Sequence, residues 1–541
     1  MKVLIIGGVA AGTKVAAKLK RENYSCDVTI LTKSKEISYA GCGLPYYVGN
    51  VIPDRSQLTV NTPESFSALT GVSVLTEVEV TKVDPAEKTV DAVNLKTQEP
   101  LKYEYDKLVV ASGAEAIKPE IDGVNLKNVF VMRTPDDADA LRNAVETGEV
   151  KRAVIVGGGY IGLEIAENLA SQGVKIVVID MAKHILPGFD EEFSEYIENH
   201  LSDQGIVTFT ETKLEAILGE EKVEKIKTSK RAMKADAVIL SVGIMANTGF
   251  LDDSGIELMP NKTIKVNEFL QTNVEDIYAV GDCATVTNRL TNNPAWSPMG
   301  STANIAGRVV AKNITGANIA YPGVLGTSVA KLPEMNLGRT GLTETDALRA
   351  GFNAISAVAV VDDKAHYYPG ASPFIVKMVA DRDTMKLLGL QVLGKGAVDK
   401  MVDIAVTAIT MGATLEDIEN MDLAYAPPFS TAIHPFSHTV NILLNKINGA
   451  FETITPASYA AGDAKGFKII DASINPTIDG AHYIDLTKVN GKLSEFEEVE
   501  KLLLVCAKGK RAYMLQNRLK HFGYTNTRVL EGGTTFNEVS I

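Results

Sequence analysis

Cys42 sits in the stretch SYAGCGLPYYVG, Ser38 to Gly49, between Gly41 and Gly43 and shortly before Pro45. Small neighbours leave a sulfur accessible, and a thiolate there suits attack on another sulfur or on a peroxide. The alternative is a buried, inert cysteine, the commonest fate of a free thiol. Five residues on, where a redox dithiol would place its second cysteine, stands Tyr47. A lone thiol cannot close an internal disulfide after attack. It must pass through a mixed disulfide, a persulfide or a sulfenic acid. A second reactive candidate is Cys506 in LLLVCAKGKR, where a strand enters a loop that closes with Arg511. Successive backbone N–H groups, a helix N-terminus and the cations Lys508, Lys510 and Arg511 suit an anionic sulfur. Cys26 opens a strand and Cys283 follows an aspartate; both read as packing residues.

Two segments look alike, and they are the elements that must position this chemistry. KVLIIGGVAAGTKVAAKLKRENYSCDVTILT begins at Lys2, and RAVIVGGGYIGLEIAENLASQGVKIVVID begins at Arg152. Each reads as strand, glycine turn, amphipathic helix and strand, the βαβ unit that cradles a dinucleotide. Two copies are the requirement of an enzyme that handles two dinucleotides, a flavin and a nicotinamide. In the first copy Gly7 and Gly12 keep the turn and the helix contact, while Val9 takes the third glycine position. Its second strand ends in Thr32 and Lys33 where a ribose-holding acid is expected. Asp282, closing IYAVGD, is the kind of aspartate that meets the ribityl or pyrophosphate part of FAD. In the second copy Gly157, Gly159 and Gly162 satisfy the full spacing. Glu164 follows in the helix, and Asp180 ends the next strand near the offset of about 20 residues at which a carboxylate holds a ribose. That favours NADH over NADPH, with Lys183 and His184 leaving NADPH open.

The length suggests three or four domains. A net charge of −13 argues against nucleic acid or an anionic membrane as overall partner. Four widely spaced cysteines make neither a disulfide framework nor a metal cluster, which fits a reducing cytoplasm. MKVLIIGG reads as a first strand rather than a signal peptide, and no apolar run reaches the roughly 18 residues of a membrane span. The boundaries read as a FAD-binding domain at 1–150 and 245–325, an NAD(P)H-binding domain at 151–244, a further α+β block at 326–454, a linker at 455–466 rich in Ala, Gly, Ser and Pro, and a small α/β domain at 467–541.

The order of GGVAAG, SYAGCGLPYYVG, GGGYIGLE, YAVGDCA, AHYYPGA and AYAPPFS resembles the single-cysteine pyridine nucleotide-disulfide oxidoreductases, nearest the coenzyme A-disulfide reductase type, over about Met1 to Ile447. The tail resembles a rhodanese domain. The fold class expected is α/β: two Rossmann-like FAD- and NAD(P)-binding domains, an α+β dimerisation domain and a C-terminal rhodanese-like domain. The resemblance implies a homodimer and active-site tyrosines at Tyr367 (or Tyr368) and Tyr425, supplied by the partner subunit. FAD contacts are expected at Gly7, Gly12, Thr32, Lys33, Val80, Ser112, Gly113, Gly281, Asp282 and Ala303. NAD contacts are expected at Gly157, Gly159, Gly162, Glu164, Asp180 and Gly243. Lys14, Lys18, Lys20 and Arg21 form a basic patch on the first helix. Because that helix and the SYA segment border the coenzyme A channel in the family, Lys14, Lys18, Arg21, Ser38 and Tyr39 are expected at coenzyme A.

The implied activity passes electrons from NADH to FAD to Cys42 and on to a substrate sulfur in CoA persulfide, CoA disulfide or polysulfide, with Cys506 as carrier of sulfane sulfur. Two other readings stand beside it. One is an NADH oxidase or peroxidase cycling Cys42 through a sulfenic acid. The other is a redox-sensing scaffold.

Overall fold

The strand Lys2–Ile6 is buried from Val3 to Ile6, the near-continuous apolar run of a parallel strand covered on both faces. It pairs in parallel with Asp27–Thr32 and with Lys107–Val110; Ser73–Thr76 and Ile277–Ala279 complete a five-stranded sheet. Helix Ala10–Glu22 turns Ala11, Val15, Ala16 and Leu19 inward, the spacing of one apolar stripe. A second parallel sheet centres on Arg152–Val156, flanked by Lys175–Ile179 and Ala237–Leu240, with Val207–Phe209 and Val129–Phe130 at its edges. That last strand lies ahead of the expected boundary at 151; two residues carry no readable period.

The computed structural model describes residues 1–541. They form two units, 1–185 with 205–324, and 186–204 with 325–541. In the second unit an antiparallel sheet runs in the order Ser328–Leu332, Met335–Gly341, Leu387–Gly394, Pro373–Asp381, Ala354–Asp362. Helix Val398–Met411 buries Val398, Met401, Val402, Ala405, Ala408 and Ile409 and stops at Gly412, whose φ of 68° is left-handed. The segment 186–204, expected in the NAD(P)H-binding domain, belongs to this unit. Its anchor is Lys377, 4 % exposed, whose ammonium meets Asp190 at 3.0 Å, Glu192 at 2.6 Å and Glu344 at 3.2 Å. Burial alone would lower the lysine pKa, but these carboxylates hold it above its usual range. Gln391 donates to Asp190 at 2.6 Å and accepts from its N–H at 2.8 Å.

The last sheet is parallel, in the order Thr453–Ile454, Thr527–Leu530, Leu502–Val505, Lys468–Asp471, His482–Tyr483. It begins before the expected linker. Residues 455–466 themselves carry helix Pro456–Ala460, capped by Thr455. A capping threonine and a proline in the first turn start a helix in a composition that otherwise reads as spacer. Glu531, fully buried, ties this sheet to the antiparallel one. Its carboxylate accepts from Val358 N–H at 2.7 Å, from the Thr453 hydroxyl at 2.6 Å and from the Lys446 ammonium at 2.6 Å. No helix in the chain is long and apolar enough to cross a membrane.

Candidate active site

Both glycine turns have the geometry that a dinucleotide needs. Gly7 and Gly157 have φ near 110°, and a Cβ on Gly12 or Gly162 would lie 1.9 or 2.1 Å from the carbonyl of the turn glycine. Only glycine lets the helix come that close. At Gly159 a Cβ would meet nothing within 4 Å, so that position is open toward a ligand. Val9, the departure from the fingerprint, has φ −102°, a negative φ that does not call for glycine. Neither helix, Ala10–Glu22 nor Tyr160–Ser171, has a capping side chain or an acid in its first turn. Their leading N–H groups therefore suit a pyrophosphate, and the residues present fit FAD and a nicotinamide dinucleotide.

The other expected nucleotide residues gather at the ends of the parallel strands or nearby. A Cβ on Gly7 would touch Ala111 O and Ser112 N, and one on Gly281 would touch Ala11. Ser112 donates to Asn247 O at 2.6 Å, and Gly113 and Gly243 are left-handed. Thr32 is buried and Lys33 exposed at the end of their strand, and Ala303 is buried in helix Gly300–Ile314. Val80 lies in a separate antiparallel sheet and packs in the core with Ile6, Leu31 and Val110. Asp180 accepts from Gly158 N–H at 2.7 Å and Ala182 N–H at 2.8 Å, which fixes it beside the second turn.

Cys42 is exposed in the 3-10 turn Gly41–Gly43, directly ahead of helix Leu44–Val48 with Pro45 in its first turn. That helix is clamped. The Tyr47 hydroxyl donates to Asp139 at 2.9 Å, its ring lies 4.4 Å under the Arg142 guanidinium, and Arg142 also donates to the Tyr47 and Ile52 carbonyls. Arg55 donates to the same Asp139 at 2.5 Å. The residue standing where a second thiol would be is thus committed to a half-buried polar network. On the other side, a Cβ at Gly49 would lie 2.1 Å from Asn168 Oδ1, and Gln172 donates to Gly49 O at 2.8 Å. The Tyr46 hydroxyl donates to Glu164 Oε1 at 3.3 Å.

Burial pushes Glu164 up to about 7, with the Tyr46 hydrogen bond pulling it down and Glu167 pushing it further up. Although its sulfur is exposed, Cys42 is pushed up as well, first by partial desolvation from the protein around its turn and then by the charges of Glu164 and Asp282, with Arg133 opposing. Arg133 pairs with Asp282 at 2.6 Å and donates to Ala114 O at 2.8 Å. Arg133, Tyr46, Asp139 and Arg142 are site residues that sequence reasoning missed. Only Tyr46 sat inside a motif already singled out.

The basic patch on the first helix is smaller than the sequence suggests. Lys18 is paired with Glu22, and Lys20 donates to the Tyr24 and Cys26 carbonyls. Lys14 packs against Gly307, and Arg21 is exposed. Ser38 has a left-handed φ of 50°, and burial pushes Tyr39 up.

In the second unit Tyr367 and Tyr425 come together. Both are exposed, and the neighbouring Tyr425 phenol pushes the Tyr367 pKa up. Cys506 is only 3 % exposed. Its carbonyl accepts from Thr534 N–H at 3.2 Å, and a Cβ on Gly533 would lie 1.9 Å from that oxygen. Two of the three cations expected around its sulfur have other partners. Lys508 pairs with Asp362, and Arg511 donates to Ala472 O at 2.9 Å and faces Asp485 at 3.8 Å. Helix Lys510–His521 does start uncapped behind left-handed Gly509.

Residues 1–301 match the family described as Pyridine nucleotide-disulphide oxidoreductase, and residues 328–435 match its dimerisation domain. The NAD(P)H coenzyme A polysulfide/persulfide reductase of Pyrococcus horikoshii is 37% identical over 444 residues, 82% of this chain and 98% of that protein. The structure of a NAD-dependent persulfide reductase from A. fulgidus superposes with a TM-score of 0.94 at 32% identity, over 99% of this chain and 100% of that one. Reduced Bacillus anthracis CoADR-RHD gives 0.94 at 31% identity, over 99% and 97%.

Proposed function

Given that the chain belongs to the pyridine nucleotide-disulphide oxidoreductase family, we propose that it is an FAD- and NAD(P)H-dependent reductase of CoA persulfide, CoA disulfide or polysulfide, working through Cys42. The observation that carries this reading is the Cys42 turn. One exposed thiol stands there, Cys26, Cys283 and Cys506 are buried, and Tyr47 is tied to Asp139. Such a thiol must hand its oxidation state to a sulfur from outside. Bound FAD would supply the two-electron relay between reduced nicotinamide and that sulfur.

The chain's own part follows from sulfur chemistry. The Cys42 thiolate attacks the sulfur–sulfur bond of the substrate, that bond breaks, and the leaving thiolate takes a proton. Cys42 carries the acquired sulfur as a mixed disulfide or persulfide until two electrons return it to the thiol and release the second product. We assign the proton to the Tyr367–Tyr425 pair, which lies exposed and available to a second copy of the chain. Tyr425, Phe429 and Ile433 leave apolar surface exposed there, which supports a homodimer. The tail is read as a rhodanese-like domain with Cys506 as sulfane-sulfur carrier. Its parallel sheet and the uncapped helix behind the cysteine loop support that role, while the burial of Cys506 requires its loop to open for transfer.

The test is NADH and NADPH consumption with CoA persulfide, CoA disulfide, polysulfide, oxygen and peroxide as separate acceptors. Cys42→Ser should keep its flavin and lose sulfur-dependent turnover by about 10³-fold or more. Cys506→Ser should spare disulfide reduction more than persulfide use. Full turnover without Cys42, or oxygen and peroxide outrunning every sulfur acceptor, refutes the reading.

A further inference from the structure

We propose that Tyr46 is a positioning residue that holds the Glu164 carboxyl against the Cys42 turn, so that the charge on Glu164 governs how readily the Cys42 thiolate forms. The meaning of this for turnover rests on Cys42 being the reacting sulfur; the coupling itself does not.

Three groups from three elements act on one another here: Tyr46 bonds Glu164, and both feel or bear on the charge of Cys42. Cys42 is the middle residue of the 3-10 turn, and Tyr46 lies four residues on in the helix that follows it directly. Glu164 comes from helix Tyr160–Ser171. The two helices cannot slide apart or together freely. Gly49 abuts Asn168 so closely that even a Cβ would clash, and Gln172 grips the Gly49 carbonyl. The Tyr46–Glu164 hydrogen bond links them through an acceptor that titrates.

The charged surroundings are few. Glu164 faces Tyr46 from the short helix and Glu167 from its own helix. The Cys42 thiol is within reach of the charges of Glu164, Asp282 and the Arg133 guanidinium. Arg133 is already paired with Asp282, so those two largely cancel. Of the groups that act on the thiol, Glu164 is therefore the one whose charge changes near neutrality, because burial holds it at about 7. Like charges disfavour one another's ionised forms. A thiolate beside neutral Glu164 is easier to form than one beside ionised Glu164. Tyr46 donates to the carboxylate and so favours the ionised form, which is the form that restrains Cys42.

Two coupled sites titrate as a pair, and that gives a signature a purely structural tyrosine would not produce. The rate of Cys42 alkylation by iodoacetamide is measured on the flavin-loaded enzyme without nicotinamide, across pH 5.5 to 10 (roughly the span that brackets both groups), with Cys42→Ser identifying the signal. In the native chain the logarithm of the rate should rise with pH, flatten for about one pH unit from near 7 as Glu164 ionises, and then rise again. Glu164→Gln should remove the flat region and raise the rate above neutral pH by about tenfold. Tyr46→Phe should move its onset to higher pH, and should have no further effect in the Glu164→Gln background. An unbroken rise in the native chain, or a Tyr46→Phe effect that survives Glu164→Gln, overturns the proposal. Neither result depends on which sulfur compound the enzyme reduces.

Discussion

Glu531 offers the sharpest perturbation in the molecule. Strand Ala354–Asp362 is an edge of the antiparallel sheet, and the Val358 N–H on that edge ends on the Glu531 carboxylate at 2.7 Å. The same carboxylate takes the Thr453 hydroxyl and the Lys446 ammonium, each at 2.6 Å. Glu531→Ala removes all three hydrogen bonds at once. Breaking a buried pair by deleting one partner costs about 3–5 kcal/mol, most of it from the charge left behind. Lys446 keeps one partner, the Ser356 carbonyl at 2.7 Å, which places the expected loss at the lower end, about 3 kcal/mol. At about 1.4 kcal/mol per decade, opening of this junction should become roughly a hundredfold more frequent. Hydrogen exchange of the full chain reads it directly, since local opening sets the exchange rate of protected amides. Peptides covering 354–362 and 453–454 should exchange about a hundredfold faster, while those from strand Lys2–Ile6 stay unchanged. Adding Lys446→Met should recover part of the loss, because the pair then disappears together. Exchange at 354–362 within about threefold of the native chain would refute the claim that a buried charge pins the two sheets.

Lys377→Met should destabilise the second unit by about 3–5 kcal/mol at neutral pH. Asp190, Glu192 and Glu344 would then crowd one another with folded pKa values raised, so the deficit should shrink as pH falls through the carboxylate range; denaturation at pH 5 and 7.5 (roughly either side of the raised carboxylates) checks this, and an equal deficit at both would contradict it. His434 caps helix Pro435–Ile447 by accepting from Phe436 N–H at 3.2 Å, and burial, with Lys400, pushes it down to about 4. Its folded pKa lies below the unfolded value of about 6.5. Its contribution is therefore complete above that pH and is lost as pH falls toward 4, by at most about 3 kcal/mol. His434→Asn keeps a capping acceptor and should flatten that part of the acid profile; an unaltered profile would clear His434 of the effect.

The two glycine turns were legible because they combine a local period with a backbone that only glycine adopts, and Gly7, Gly12, Gly157 and Gly162 meet those demands. Asp180 was legible by its offset from the turn. Arg133 was not: its partner Asp282 is 149 residues away in sequence, and no local pattern announces such a pairing. The Lys377 cluster hides for the same reason, with Glu192 separated by 185 residues. A lysine inside an apolar strand reads as an edge residue until the facing carboxylates are seen. The sequence also made Lys508 and Arg511 look available to Cys506, since cations close in the chain suggest a common target. Long side chains reach past their neighbours, and Asp362 and Ala472 took them instead.

Left-handed Gly532 and Gly533 separate Glu531 from Thr534, whose amide holds the Cys506 carbonyl. With no room for a Cβ at Gly533, this short bridge has little slack. Whatever loosens the seam at Glu531 is transmitted within three residues to the backbone that shuts Cys506 away. Access to the second thiol is then a property of how two sheets adhere, and a ligand or a neighbouring subunit bearing on strand Ala354–Asp362 would unlock or seal it without touching the sulfur.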